Sequence, residues 1–355
     1  DIDPRAKMYV FVCPFGESLE SVARFGTIID RYEECVLLRT TPEHIPSLNN
    51  MKVELRRLGL NPIRRWTAVH SGSDDLLVTR DTLIAHMLEE VEPDSILHTV
   101  ATLQNMHTRY AMSDSNKIVA VNWIKEKLQG YGCDSVYQQS FSTIYGDNVV
   151  GIRLGEHYPS AQNYVLIGAH LDDVPSYGYA PGADDNASGV AAVLEAARVM
   201  SEYEFSRTIR FAAFNAEEQG LIGSDSFAAF ASSQSDTIIA ALCYDMIGYV
   251  VGPALDSMRL RYTTAVPGCS LFACDFYRAV ADTYTQLKIR PVRYTGTTGS
   301  SDHASFWRSG YVSTGGIELT LCPGYHTVGD TIGPTGFNNL AFATQVIQTA
   351  IAALA

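Results

Sequence analysis

His170 and Asp172 stand two residues apart at the end of the apolar run Tyr164 to Ala169, and Asp184 and Asp185 follow in the loop Ala180-Pro-Gly-Ala-Asp-Asp-Asn-Ala-Ser-Gly. Further along come the pair Glu217-Glu218, then Asp245 and His326. Imidazole nitrogens and carboxylate oxygens converging from loops are the donors that a hard-to-borderline divalent cation takes. Two such ions close together need a bridging carboxylate and about two further ligands each. His170, Asp184, Glu218, Asp245 and His326 meet that count. Asp184 suits the bridge, because it sits at a Gly-rich bend just ahead of a helix that starts near Ala187. Asp185 and Asn186 then remain to fix the loop by hydrogen bonds. Asp172 is placed to hold the far nitrogen of His170 and so set its tautomer. Glu217 and Glu218 are adjacent, so only one is expected to point at the ions, while the other faces a water and shuttles its proton. The chemistry of such a site is hydrolysis of a polarised carbonyl.

These residues need elements that bring them to one place. The runs Asp134 to Phe141, Asn148 to Leu154, Tyr164 to Ala169, Thr208 to Phe214 and Tyr311 to Leu319 read as strands. Thr237 to Asp245 reads as a helix end followed by a strand, or as one long strand. Helices are expected over Asp94 to Met106, Asn116 to Gly130, Ser188 to Met200, Leu271 to Leu287 and Asn338 to Ala353, from their apolar spacing. Alternating helices and strands predict a three-layer α/β sandwich with a largely parallel or mixed central sheet. His170, Glu217, Glu218, Asp245 and His326 all follow strands, which is where open α/β sheets bind ligands.

Residues 1 to about 85 differ in texture. Lys7 to Cys13, Gly26 to Tyr32, Glu34 to Thr40 and Lys52 to Leu58 read as strands. Glu17 to Arg24 and a segment opened by Thr41-Pro42 read as helices, with Thr41 a natural N-cap. That β-α-β-β-α-β order suggests a small ferredoxin-like α+β domain, 1–85, ahead of a catalytic domain, 86–355. Ser71-Gly-Ser-Asp-Asp is a plausible linker.

A net charge of -13 argues against a nucleic-acid partner and disfavours anionic membranes. No apolar run is long enough to span a bilayer. The chain begins at Asp1, which suggests a processed or shortened form. None of the seven cysteines forms a CxxC pair, so cysteine ligation of metal is not expected. Cys13–Cys35 and Cys269–Cys274 are conceivable bridges. Asn186-Ala-Ser188 is formally a glycosylation acceptor, but it lies inside the site loop and is expected to stay unmodified.

With these residues on the page, the chain resembles the dinuclear zinc aminopeptidase family, the bacterial leucyl aminopeptidase type of metallopeptidase, over about residues 90–355. The carriers are His170-Leu-Asp172, Gly182-Ala-Asp-Asp185, Asn215-Ala-Glu-Glu-Gln-Gly220, Tyr244-Asp-Met246, Ser301-Asp-His303 and His326-Thr-Val-Gly-Asp-Thr331. The resemblance implies two zinc ions, one on His170 and Asp245, the other on Glu218 and His326, with Asp184 bridging. It implies Glu217 as general acid/base and a cis peptide between Asp184 and Asp185. Met246, Ile247 and Tyr325 flank ligands and would line an apolar pocket for an N-terminal side chain. Asp302 takes a supporting role, and His303 reads better as structural than as a ligand. The implied substrate is a peptide, and the implied location is secreted or periplasmic. A monomer is expected, whose N-terminal segment acts as intramolecular chaperone or inhibitor, or stays as an accessory domain that narrows the cleft. The competing readings are a one-zinc glutaminyl cyclase, a carboxypeptidase using Arg261 or Arg293, and a non-catalytic binding ectodomain.

Overall fold

A computed structural model describes residues 8–14, 19–32, 35–51, 53–57, 78–156, 162–175, 178–252, 256–266 and 271–355. The expected linker at 71–75 lies outside the described residues.

The N-terminal elements are β1 (Met8–Pro14), α1 (Leu19–Val22), β2 (Thr27–Tyr32), β3 (Cys35–Thr40), α2 (Ile45–Asn49) and β4 (Val53–Arg57). The strands pair antiparallel in the order β2-β3-β1-β4, the ferredoxin-like arrangement. Alternate residues Val10, Val12, Val36, Leu38, Val53 and Leu55 share one buried cluster with Val22, Ile45 and Leu48 of the helices. That is the period of two a sheet needs to bury a single face. Pro42 opens a 3-10 turn, Pro42–His44, rather than the α-helix itself.

Next come α3 (Thr82–Glu89), α4 (Pro93–Gln104), a π-helical turn at Ser115–Ala120 and α5 (Val121–Gly130). Strands β5 (Ser135–Gln139), β6 (Asn148–Arg153) and β7 (Asn163–His170) lead to α6 (Ala187–Met200). The rest is β8 (Thr208–Phe214), α7 (Ile222–Ser233), β9 (Thr237–Tyr244), β10 (Ser257–Thr263), α8 (Leu271–Tyr284), β11 (Lys288–Tyr294), α9 (His303–Arg308), β12 (Ser313–Glu318) and α10 (Leu340–Leu354).

The second sheet has eight strands in the order β11-β10-β12-β9-β7-β8-β6-β5. It is mixed: β7 lies parallel to β8 and β9, and β12 parallel to β9, whereas β6 opposes β8 and β10 opposes β12. Every residue of β8 is buried, as a strand covered on both faces requires. On one face, α4, α5, α6, α8 and α10 build the large core. On the other, Phe227 of α7 and Phe306 of α9 pack on Phe214 and Tyr164. Small residues let α6 lie close to the sheet, and all of it but Arg198 is buried.

The Thr237 segment is one strand, and the Leu271 helix stops at Tyr284. Cys274 is a free, buried thiol, and its conceived partner Cys269 lies outside the described residues. The side chains of Cys13 and Cys35 lie outside the described residues.

Candidate active site

The loops after β7, β8, β9 and β12 carry the chemistry. His170 closes β7, Glu217 and Glu218 follow β8, Asp245 follows β9, and His326 lies beyond β12. Asp185 arrives from the loop before α6. Its Oδ1 lies 3.3 Å from His170 Nε2 and its Oδ2 lies 3.2 Å from His326 Nε2. His170 Nε2 also stands 3.4 Å from Asp245 Oδ1, and His326 Nε2 stands 3.1 Å from Glu218 Oε2. Ligand atoms of His170, Glu217 and Asp245 cluster within 4.8 Å of one another, as do those of His170, Asp185 and Glu218.

The middle position belongs to Asp185 and not to Asp184, which corrects the expectation from sequence. Asp184 turns the other way: its Oδ1 accepts the Gly248 N–H at 2.8 Å, and its neighbour there is Glu318. The cis peptide lies between Asp185 and Asn186, not between Asp184 and Asp185. Asn186 does fix the loop, donating to the Tyr244 carbonyl at 2.9 Å and accepting from Gly189 and Met246 N–H groups. Asp172 meets the far nitrogen of His170 more closely through its main chain than through its side chain. The nearest acceptor to His170 Nδ1 is the Asp172 carbonyl at 3.1 Å, its carboxylate being 3.8 Å away. That carboxylate accepts the N–H groups of Glu217 and Glu218 at 3.0 and 3.1 Å and so shapes their turn.

Further supports carried no role in the sequence reading. Asp330 accepts the N–H groups of Asp184 and Asp185, both at 2.9 Å. It belongs to the quoted run after His326, and only the folded loop shows what it binds. Buried Arg109 donates to the carbonyls of Leu171, Pro181 and Gly182 and pairs with Asp173 at 3.3 Å. Gly182 has φ +48, and a Cβ there would meet Arg109 Nη2 at 2.6 Å. Ala216, Met246 and His326 hold positive φ without being glycine. Backbone strain of this kind concentrates at functional sites.

The electrostatics follow from the crowding of acids. Burial opposes charge on His170, but Glu217 and hydrogen bonds to Asp185 and Asp245 outweigh it, so the ring titrates well above the usual imidazole range. Burial opposes charge on His326 too, and Glu218 with Asp185 pushes it up to about 10. For Asp185, burial is overcome by hydrogen bonds from the two rings, which hold it below the carboxylate range. Burial lifts Glu218 to about 7 and Glu217 well above its ordinary value, although nearby histidines oppose both shifts.

The donor set fits zinc. Two atoms each about 2.0 Å from a tetrahedral zinc lie about 3.3 Å apart, the spacing seen around both Asp185 oxygens. Glu218 Oε1 is buried without a hydrogen-bond partner, an orphan that a cation satisfies.

A cavity of about 200 Å³ opens onto this cluster. His170, Asp185, Glu217, Glu218, Asp245 and His326 line it; Met246, Ile317, Leu319, Leu321 and Tyr325 add apolar surface, with Arg259, Arg261 and Leu55. Tyr325 also stacks on His326, ring centroids 3.8 Å apart. Met246 and Tyr325 line the cavity as expected, but Ile247 does not: it is fully buried in the large core. Asp302 is buried within electrostatic reach of His170 and Asp245, and burial pushes its carboxyl up to about 7. His303 packs edge-on against Trp307 at 4.6 Å, outside the cluster. Leu55 and Arg259 escaped the sequence reading, since β4 and β10 lie outside the motifs; Arg261 was named there only for the carboxypeptidase alternative, and Arg293 is not among the lining residues.

Comparison with known proteins bears on the family and the fold. Leucine aminopeptidase 1 of Coccidioides posadasii (strain C735) is 29% identical over 287 residues, 74% of this chain and 71% of that protein. The LapA aminopeptidase of Legionella pneumophila shares the fold with a TM-score of 0.78 at 21% identity, covering 98% of this chain and 97% of that one. A glutaminyl cyclase of Bacteroides thetaiotaomicron gives 0.61 at 18% identity, covering 74% of this chain and 97% of that one. The profile of peptidase family M28 matches residues 148–349, a span holding all the clustered histidines and carboxylates, and the chain therefore belongs to peptidase family M28.

Proposed function

We propose that this chain is a zinc-dependent aminopeptidase that removes N-terminal apolar residues from peptides and works with two zinc ions. The observation that carries the reading is Asp185, one oxygen toward His170 and the other toward His326. His170 and Asp245 would hold one ion, Glu218 and His326 the other, and Asp185 would join them. Zinc in such a site lowers the pKa of water and polarises a carbonyl.

The remaining work falls to the chain's own groups. Glu217 faces the cavity and is not needed as a ligand. Its raised affinity for protons suits it to take one from the attacking water and return it to the leaving amine. The carboxylates of the cluster favour a free ammonium, which selects the N-terminus of a peptide over its interior. The cavity has room for about one residue, as an exopeptidase requires. Residues 1–85 would form an accessory domain, and residues 86–355 the catalytic one. Export from the cytoplasm belongs to the same reading; it rests on the family resemblance, and activity in a culture medium or periplasmic fraction tests it.

The test is zinc content per chain with hydrolysis of a leucyl-anilide, for the wild type and Glu217→Ala. We expect about two zinc ions in both, and activity reduced roughly 10²- to 10⁴-fold in the variant. One ion, with cyclisation of N-terminal glutamine in place of hydrolysis, overturns this in favour of the cyclase.

A further inference from the structure

The N-terminal sheet reaches the catalytic cavity. Leu55 of β4 lines it together with Ile317, Leu321 and the histidines and carboxylates of the cluster. We propose that Leu55 sets the upper size of the N-terminal side chain the cavity accepts, so that selectivity is partly fixed outside the segment matching family M28. This rests on the aminopeptidase reading.

The position of Leu55 is rigid for two reasons. In register it stands opposite Val12 of β1, the strand paired on both sides. It is also 5% exposed and belongs to the buried cluster of Val10, Val12 and Leu48. A side chain held by its own core makes a firm wall, as discrimination by size demands. Arg259 and Arg261 line the same cavity and disfavour a cationic side chain, while Met246, Ile317, Leu319, Leu321 and Tyr325 supply the surface that suits an apolar one. The M28 match begins at residue 148, well beyond β4.

The experiment is kcat/KM for alanyl-, leucyl- and phenylalanyl-anilides on the full chain, for the wild type, Leu55→Ala and Leu55→Phe, with zinc content measured alongside. A few methylene-sized groups of space change such ratios by roughly tenfold or more. We expect Leu55→Ala to raise the Phe/Leu ratio by about that factor, and Leu55→Phe to raise the Ala/Leu ratio similarly. If Leu55→Ala loosens the N-terminal sheet, Leu55→Phe still decides, because it fills space instead of emptying it. Unchanged ratios in variants with wild-type thermal unfolding overturn the inference alone. A parallel rise on all three substrates also overturns it, since that marks a general cover and not a size limit. No hydrolysis of any anilide by the wild type overturns the aminopeptidase reading, and this inference with it.

Discussion

Asp184 and Asp185 are chemically identical and adjacent, yet they face opposite ways. An irregular loop has no periodicity, so nothing in the sequence says which of the two turns toward the histidines. The ligand types and the loop were legible; the direction of each side chain was set by Asp330, Gly248 and Glu318, which reach the loop from elsewhere. The two residues should therefore separate cleanly by mutation. Asp185→Asn is expected to lose bound zinc, read by metal analysis after dialysis, and most activity with it. Asp184→Asn is expected to keep its zinc and to lose about 1–3 kcal/mol of stability in a denaturant titration, the cost of disturbing a buried acceptor.

At the scale of elements, the strands that deliver the site were readable because they are short apolar runs ending in acids or histidines. Strands β10 and β11 went unread. Met258, Leu260 and Tyr262 do alternate with Arg259 and Arg261, but an arginine-bearing strand does not look like a core strand until its arginines are seen lining a cavity. The π-helical turn before α5 was likewise read as ordinary helix. It brings Asn116 against Asn215 at the end of β8, and the two amides exchange hydrogen bonds of 2.7 and 3.2 Å. Asn215 opens the turn that carries Glu217 and Glu218. Asn116→Ala should cost about 1–3 kcal/mol of stability, because buried polar atoms lose their partner. It should also lower kcat with zinc content unchanged, which steady-state kinetics and metal analysis together would show.

The whole molecule carries an excess of buried acid as well as a net charge of -13. Burial raises Asp173 and Asp302 to about 7, although Arg109 and His170 respectively oppose the shift. An unfolded carboxyl titrates near 4. Between about pH 4 and 7 the folded state thus binds more protons than the unfolded chain, and unfolding free energy falls as pH rises through that window. The contribution is present in full below the window and gone above it. Thermal unfolding of the zinc-free chain should give a lower Tm at pH 7.5 than at pH 5.5, and Asp302→Asn should flatten that slope. A steeper slope in the variant would contradict the assignment. The two-sheet architecture, β10 and β11 excepted, was legible from hydrophobic pattern together with turn and cap signals. The meeting of the two sheets at one cavity was not, because contact between distant segments leaves no local signature.

Asn186 is buried, and its amide nitrogen is already committed to the Tyr244 carbonyl. It is also the first residue of a glycosylation acceptor. In a host that adds sugars during secretion, the transferase meets this segment as an extended chain, before any loop exists to hide it. A glycan there consumes the donor and puts bulk where the fold leaves no room, so a modified chain cannot close around its site. Synthesis in such a host becomes a race between folding and sugar transfer, and the loser is recognisable: glycosylated chains should be metal-poor and inactive, while all the activity travels with the bare ones.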